Sequence, residues 1–304
     1  MQNPIGRREF LQAASLAVAG SACGEAVAKV VEQPGATAGR PRLFVGCCAY
    51  SYRQDLEKGR MTMEDFILKG VELGVHAVDI TTYWLKSTEP DYLVRLRHLA
   101  FKNGIPFSGA AIGTNMCQAD PAKRSQELEK IKKWVDATEF LGASHLRVFG
   151  GEIPKGASLE QAIQWVVETM KPACDYSARK GITLGIESHG GVTSRASAIL
   201  EILRRVDSPY AGVNLDISNF SADSTEDQYA QIEACVPYAT HTHIRDVFSE
   251  THQPIDLDRA WQLFAKGGYK GYASAEYEGE EDAMTGVPKL IEKIRTLCKK
   301  YSTV

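Results

Sequence analysis

Three acidic residues and one histidine recur at nearly even intervals in the second half of the chain: Glu187, Asp216, His243 and Glu276. Successive members lie 29, 27 and 33 positions apart, which is about the length of one strand–helix unit. Each acid alone could be an ordinary salt-bridge partner, but three carboxylates that meet without a cation would repel one another. With an imidazole nitrogen they form a ligand set that suits Mn²⁺ or Mg²⁺, with Zn²⁺ or Co²⁺ as alternatives. We therefore predict that these four side chains bind one divalent metal ion.

Five further residues near predicted strand ends are candidates for substrate binding, because their side chains can hydrogen-bond to a small polar molecule or stack on it. They are His189, Asn219, Arg245, Arg147 and Trp84. Structural roles stay open for them: His189 could belong to a turn, and Trp84 could plug the core. Strand alternation places Arg245 on the same face as His243. There it could bind a substrate oxygen, or it could pair with Asp246 or with an acid of the barrel.

The elements that would position these residues are short apolar runs that alternate with longer amphipathic segments. The apolar runs, which predict strands, are Leu43–Ala49, Ala77–Thr82, Phe107–Ile112, His145–Phe149, Thr183–Glu187, Gly212–Ile217, Thr240–Ile244 and Tyr272–Tyr277. The amphipathic segments, which predict helices, are Met63–Leu73, Pro90–Asn103, Pro121–Leu141, Leu159–Lys180, Ser194–Val206, Thr225–Cys235, Asp256–Ala265 and Glu281–Lys300. Several helices are followed by a glycine that could end them, namely Gly74, Gly104, Gly142, Gly181 and Gly267.

Eight strand–helix units in one segment predict a (β/α)₈ barrel, an α/β fold of the TIM type. A doubly wound open sheet is the alternative, but it would normally begin with a Gly-rich phosphate-binding turn. The first predicted strand lacks that motif, and no Walker loop occurs in the chain. Since no linker interrupts the pattern, we predict one barrel domain over residues 41–304. In such a barrel the ends of successive strands meet at one rim, so the four predicted metal ligands would lie side by side.

The first forty residues have the composition of an export signal. Arg7 and Arg8 precede a modestly apolar, alanine-rich stretch, and Ala26-Val27-Ala28 is a candidate cleavage site. This pattern predicts a twin-arginine leader over residues 1–40, recognition by the twin-arginine export machinery and a periplasmic location. Two alternatives stay open: a helix that packs on the barrel, and a lipid anchor on Cys23.

Composition excludes several other classes of function. The net charge of −3 and pI near 6.2 provide no basic surface for nucleic acid. No apolar run is long enough for a membrane span. The seven cysteines show no spacing typical of a zinc site or a disulfide framework. The expected partner is therefore a small molecule, and a homo-oligomer is compatible with the sequence.

Four motifs carry a resemblance to the sugar phosphate isomerase/epimerase superfamily, also called xylose isomerase-like or AP-endonuclease-2-like barrels. They are Gly185-Ile186-Glu187-Ser188-His189-Gly190-Gly191, Asn214-Leu215-Asp216, His243-Ile244-Arg245-Asp246 and Glu276-Tyr277-Glu278-Gly279. The resemblance extends over roughly residues 42–300. It implies one metal bound at the places of Glu187, Asp216, His243 and Glu276, and a sugar or sugar derivative as the substrate.

The chain departs from this resemblance at Arg245. The family often has lysine there, two positions after the metal-binding histidine. An arginine cannot release a proton at working pH, so an acid–base role for this position is lost. Its planar fork would instead suit a carboxylate, a phosphate or a pair of sugar hydroxyls.

Two glutamates beside one metal suggest carboxylate-mediated proton transfer through a metal-bound enediolate. Glu187 or Glu276 would remove a proton from the carbon between two substrate oxygens, and the other would return it. Return to the opposite face gives an epimer, and return to the neighbouring carbon gives an isomer. We therefore expect a metal-dependent keto-sugar isomerase or epimerase.

Other outcomes stay open at this point. Loss of a β-hydroxyl from the same intermediate would make the protein a lyase or dehydratase, and a hydratase acting on keto-glycosides is related to it. A non-catalytic, exported sugar-binding barrel is a further alternative. Phosphodiester cleavage would need a multi-metal cluster rich in histidine, whereas the chain has only seven histidines.

Overall fold

The barrel of this protein is closed. A computed structural model describes residues 41–302; the predictions for residues 1–40 fall outside that range. The parallel strands pair in chain order, and the last pairs with the first. They are β1 (Arg42–Cys48), β2 (Ala77–Thr81), β3 (Phe107–Ala111), β4 (His145–Val148), β5 (Thr183–Glu187), β6 (Ala211–Asp216), β7 (Ala239–Ile244) and β8 (Lys270–Ala275). The predicted (β/α)₈ barrel is confirmed, and the open sheet is excluded.

A long helix follows each strand and covers the outside of the barrel. These helices are α1 (Met63–Glu72), α2 (Pro90–Lys102), α3 (Pro121–Leu141), α4 (Leu159–Ala178), α5 (Ala196–Val206), α6 (Thr225–Cys235), α7 (Leu257–Gly267) and α8 (Ala283–Tyr301). Local sequence explains several starts. Thr62 and Asp65 form a capping box before α1, and Ser158 and Gln161 form another before α4.

Much of the inner wall of the barrel is polar, unlike the aliphatic layers that usually fill such barrels. His145 shares the inner face of β4 with Arg147, because side chains alternate across a strand. The ring of His145 stacks on His241 of β7 at 5.1 Å between centroids, and His241 contacts His243 at 5.6 Å. Burial lowers the pKa of His241 to about 4 and lowers the pKa of His145 as well, so both rings are neutral near pH 7.

Gly185 of β5 makes this inner layer sterically feasible. A Cβ atom at this position would lie 2.3 Å from His145 Nε2 and 3.1 Å from the backbone nitrogen of Asn214. Any other residue at position 185 would require the imidazole to shift.

The described residues contain neither a disulfide nor a helix suited to a membrane. Six cysteines in this range are free and buried: Cys47, Cys48, Cys117, Cys174, Cys235 and Cys298. Between residues 41 and 302, no helix is both long and apolar enough to cross a bilayer. Cys23, the candidate lipid attachment point, lies outside the described residues.

Candidate metal and active site

The four predicted metal ligands converge at the carboxyl end of the barrel. Glu187 ends β5, Asp216 ends β6, His243 lies one residue before the end of β7, and Glu276 directly follows β8. Each offers one ligand atom, and these four atoms all lie within 4.8 Å of one another. All four residues are buried. The barrel register thus brings together four side chains that are widely separated in the sequence.

His243 contacts acids through both ring nitrogens. Its Nδ1 lies 3.5 Å from Glu187 Oε1 and 3.4 Å from Glu276 Oε1. Its Nε2 lies 3.3 Å from Asp79 Oδ1, and Asp79 also accepts a hydrogen bond from Ser274. Burial alone would lower the pKa of His243, but the charge of Glu276 and the other acidic neighbours raise it. By these distances Nδ1 is the nitrogen that faces the two glutamates of the cluster, while Nε2–H can donate to Asp79.

Asp216 is the carboxylate of the cluster whose ionised form is least stabilised by its surroundings. It is fully buried, and this burial, together with the charges of Glu276 and Glu187, raises its pKa to about 7. Its Oδ1 accepts hydrogen bonds from Ser218 N at 2.8 Å and Ser218 Oγ at 2.6 Å. These local bonds fix the orientation of the side chain without fully offsetting the loss of solvent.

Arg245 pairs with acids of the barrel. Its Nη2 lies 3.2 Å from Asp216 Oδ2, 3.2 Å from Glu276 Oε2 and 2.7 Å from Glu278 Oε1. Of the alternatives that the sequence left open for Arg245, the structure therefore favours an acid of the barrel over Asp246. Asp246 instead pairs with Lys293 at 3.0 Å. Burial alone would raise the pKa of Glu276, but the charges of His243 and Arg245 outweigh it and lower that pKa to about 2.

A second guanidinium, that of Arg147, contacts the cluster from β4. Its Nε lies 2.9 Å from Glu187 Oε2, and both side chains are almost fully buried. Burial alone would raise the pKa of Glu187, but the charges of Arg147 and His243 outweigh it and lower the pKa. Both glutamates are thus held ionised by a cationic neighbour.

The donor set fits a divalent metal ion. Three carboxylates and one imidazole nitrogen offer ligand atoms that all lie within 4.8 Å of one another, so that one ion could contact all four. Two oxygen atoms on this wall, Glu187 Oε2 and Asn214 Oδ1, are buried without a hydrogen bond. A cation at this place would also relieve the desolvation that raises the pKa of Asp216.

The remaining predicted residues lie around this cluster at different distances. His189 is exposed, and its ring contacts Phe149 at 4.1 Å between centroids. Asn219 donates to Asp216 Oδ2 at 2.9 Å and accepts from Ser249 Oγ at 2.6 Å. Trp84 is half-buried, and its ring contacts are with Tyr50 and Tyr83. Asn219 therefore contacts the four-residue cluster, whereas the ring contacts of Trp84 are with other aromatic residues.

Sequence reasoning missed Cys48. Its thiol lies 3.6 Å from Glu276 Oε1 and 3.5 Å from Thr81 Oγ1. Cys48 also forms a second compact group of ligand-type atoms with Asp79 and His243. Cys48 is the last residue of β1, and a position at a strand end is the feature that identified Glu187 and Asp216. The same feature could have identified Cys48.

The sequence matches one protein-family model. Residues 68–297 match the family described as xylose isomerase-like TIM barrel. This range includes seven of the eight strands and all four residues of the cluster. A search of curated proteins returned no match.

Several solved structures share the fold at low sequence identity. A D-psicose 3-epimerase with D-tagatose, from Clostridium cellulolyticum H10, has a TM-score of 0.70 and 16% identity, covering 85% of this chain and 99% of that one. A D-allulose 3-epimerase from Methylomonas sp. in complex with D-allulose has a TM-score of 0.67 and 19% identity, covering 86% and 98%. The IOLI protein with a zinc atom has a TM-score of 0.70 and 15% identity, covering 86% and 100%. At these identities the likeness concerns the fold.

Proposed function

This chain belongs to the xylose isomerase-like TIM barrel family, and from that premise we propose that it is a metal-dependent isomerase or epimerase of a keto-sugar or sugar derivative. One observation carries the proposal: two glutamates, Glu187 and Glu276, reach the same side of His243, with oxygens 3.5 and 3.4 Å from its Nδ1. Such a pair can place one carboxylate near the carbon that loses a proton and the other near the position to which a proton is returned.

A divalent ion held by Glu187, Asp216, His243 and Glu276 would supply Lewis acidity, which polarises a carbonyl and makes the neighbouring carbon more acidic. The fold relatives support this assignment, since the IOLI protein contains zinc. Asp79 contributes indirectly, because its bond to His243 Nε2 orients the ring so that Nδ1 faces the cluster.

The protein's own residues would carry the proton. Glu187 and Glu276 are both ionised near neutral pH, so either can accept a proton from the carbon beside the carbonyl. The electron pair of the broken C–H bond moves toward the carbonyl oxygen and gives an enediolate. In one outcome the second glutamate takes up a proton from water and delivers it to the opposite face of the same carbon, while the first glutamate releases the abstracted proton to water. In the other outcome the first glutamate delivers the abstracted proton to the neighbouring carbon, and the hydroxyl proton of the substrate passes from one oxygen to the other. The first outcome is an epimer and the second an isomer.

The epimerase assignment is supported by the fold relatives, two of which are a D-psicose 3-epimerase and a D-allulose 3-epimerase. Both are named for ketose sugars. We therefore propose a keto-sugar or a derivative of one as the substrate. Export to the periplasm through a leader at residues 1–40 is a separate proposal that rests on Arg7 and Arg8, the alanine-rich stretch that follows them and the candidate cleavage site Ala26-Val27-Ala28.

The test combines metal analysis with hydrogen exchange. Purified protein loaded with Mn²⁺, and a chelated control, would be incubated in D₂O with a panel of keto-sugars. We expect deuterium at the carbon beside the carbonyl, together with a new epimer or isomer, in the loaded sample only. A product that has lost the mass of water would assign a lyase instead. Sugar binding without exchange or product across the panel would overturn the proposal in favour of a binding protein.

A further inference from the structure

Arg147 is a deeply buried cation whose donors are only partly used. The residue is 4% exposed. Its Nε and Nη1 atoms have no hydrogen-bond partner, although Nε lies 2.9 Å from Glu187 Oε2 in a poorly aligned ion pair. Buried guanidinium N–H groups normally have hydrogen-bond partners. Two donors without such a partner beside Glu187 therefore indicate that a ligand accepts these hydrogen bonds.

The guanidinium is held rigidly in this position. Its Cζ lies 3.9 Å from the ring centroid of Phe149, which in turn contacts the ring of His189 at 4.1 Å. On another side Glu187 fixes its charge. A cation that is stacked, paired and buried cannot turn away to find another partner, and its donors are therefore preorganised.

Arg245 does not offer the same capacity. Its Nη2 contacts Asp216, Glu276 and Glu278, and its Nη1 donates to Ser249 Oγ at 3.1 Å. Only Nε of Arg245 lacks a partner. Among the described residues, Arg147 and Arg245 are the arginines that contact the cluster, and Arg147 has more N–H donors without a hydrogen-bond partner.

We infer that Arg147 is a catalytic residue that donates hydrogen bonds to the substrate oxygen that becomes negatively charged when the neighbouring carbon loses its proton. The inference rests on the proposed function. The proton passes to Glu187 or Glu276, the C–H electron pair moves to the carbonyl oxygen, and Arg147 binds that oxygen without losing its own proton. Reprotonation of carbon returns the electron pair and releases the oxygen. The ligand class is a carbonyl compound with an adjacent hydroxyl or hydroxyl-derived oxygen.

The test uses binding, so that it does not depend on turnover. Glycolohydroxamate, a small planar mimic of an enediolate, would be titrated calorimetrically into Mn²⁺-loaded wild type, Arg147→Met and Arg147→Lys, with metal content measured in each. We expect Arg147→Met to bind the probe at least about tenfold more weakly, as loss of a charged hydrogen bond requires. Arg147→Lys should be intermediate, because it keeps a charge but not the fork. Arg124→Met is the matched control, since Arg124 pairs with Glu168 on the outer helices and should leave binding unchanged.

The outcomes separate this inference from the proposed function. Equal probe affinity in wild type and Arg147→Met, or no binding to metal-loaded wild type, overturns the role of Arg147. If Arg147→Met binds no metal, the role of Arg147 is judged from the probe affinity and metal content of Arg147→Lys. Loss of metal there too would mean that Arg147 only supports Glu187, which also overturns the inference. Weakened probe binding, with no exchange on any keto-sugar by wild type, would leave the oxyanion site standing and remove the proposed reaction.

Discussion

Arg245 Nη2 lies 3.2 Å from Asp216 Oδ2, so a permanent cation contacts a carboxylate of the predicted metal cluster. The same nitrogen lies 3.2 Å from Glu276 Oε2. A guanidinium and a divalent ion favour the same oxygen atoms, and each reduces the attraction of those oxygens for the other. The affinity for metal should therefore depend on Arg245, although Arg245 is not a ligand.

Replacing Arg245 with Met should strengthen metal binding. Removing the competing charge from Asp216 and Glu276 is expected to lower the Kd for Mn²⁺ by roughly tenfold, equivalent to about 1.4 kcal/mol. Calorimetric titration of the chelated protein measures this. Lys293→Met is the control, because Lys293 pairs with Asp246 at the exposed rim. Unchanged or weaker affinity in Arg245→Met would show that the guanidinium does not compete with the ion.

Removing the predicted ligands should abolish metal binding. We expect about one divalent ion per chain in wild type, sharply reduced occupancy in Asp216→Asn or His243→Ala, and none in the double variant. Elemental analysis after gel filtration provides the measurement, and Asp246→Asn is a control acid outside the cluster. Stoichiometric metal in the double variant would disprove the assignment.

The stability of the metal-free protein should depend on Asp216 in a defined pH window. The pKa of Asp216 is raised from 3.8 to about 7 by burial and by Glu276 and Glu187. The folded state then binds more protons than the unfolded state between these values, so this contribution to stability is present at low pH and is lost as the pH rises to about 7. Relative to Asp216→Asn, the free energy of unfolding of chelated wild type should fall over this range and level off above it.

Urea unfolding of both proteins at several pH values measures this difference. Saturating Mn²⁺ is the internal control, because a bound cation keeps Asp216 ionised and should remove the fall. A flat difference in the chelated proteins would mean that burial does not perturb this carboxyl.

The two glutamates should be separable by substitution. Glu187→Gln and Glu276→Gln keep the shape and an oxygen ligand but cannot accept a proton, so each should lower kcat by roughly 10²-fold or more, with a smaller effect on KM. A variant that still exchanges substrate hydrogen with D₂O but forms no product has kept the first base and lost the second acid. Near wild-type turnover in both variants, with metal bound, would assign proton transfer to another residue such as His189.

Export can be tested independently of catalysis. Changing Arg7 and Arg8 to Lys should leave precursor in the cytoplasm if the two residues form a twin-arginine signal. Fractionation followed by immunoblotting measures this, and Arg40→Lys is a control substitution in the same segment. A normal periplasmic yield of the double variant would contradict the prediction.

Periodicity predicted the barrel well because each strand is a short apolar run bounded by turn residues. Predicted and observed strand ends differ by at most two residues, and β5 agrees at both ends. The predicted stop at Gly267 is wrong, because α7 ends one residue later than this prediction allows. Gly267 is the last residue of α7, where a Cβ would lie 2.4 Å from Val236 Cγ1, and Gly268 takes the left-handed conformation at φ 70°. Sequence spacing could not distinguish a glycine needed for packing from one needed for the turn.

Strand alternation allowed us to predict which side chains face the candidate site, but not which contacts they make there. Alternation identifies the face on which Arg245 lies, but its partners Asp216, Glu276 and Glu278 depend on the register of three strands and on a side-chain rotamer. The contacts of Cys48 were missed for a related reason. A cysteine at a strand end resembles an ordinary small apolar residue until the barrel closes β1 against β8.

Stacked imidazoles inside the barrel connect its interior to the predicted metal cluster at the carboxyl end. His145 stacks on His241, and His241 contacts His243 of the metal cluster, so the three rings form a continuous pillar from the floor to the mouth. Gly185 leaves the space in which the lowest ring lies. A Gly185→Ala substitution would place a Cβ 2.3 Å from His145 Nε2, so the ring of His145 would have to shift relative to the ring of His241. A redesign of the loops at the carboxyl end of this barrel would therefore have to keep His145, His241 and Gly185 inside it.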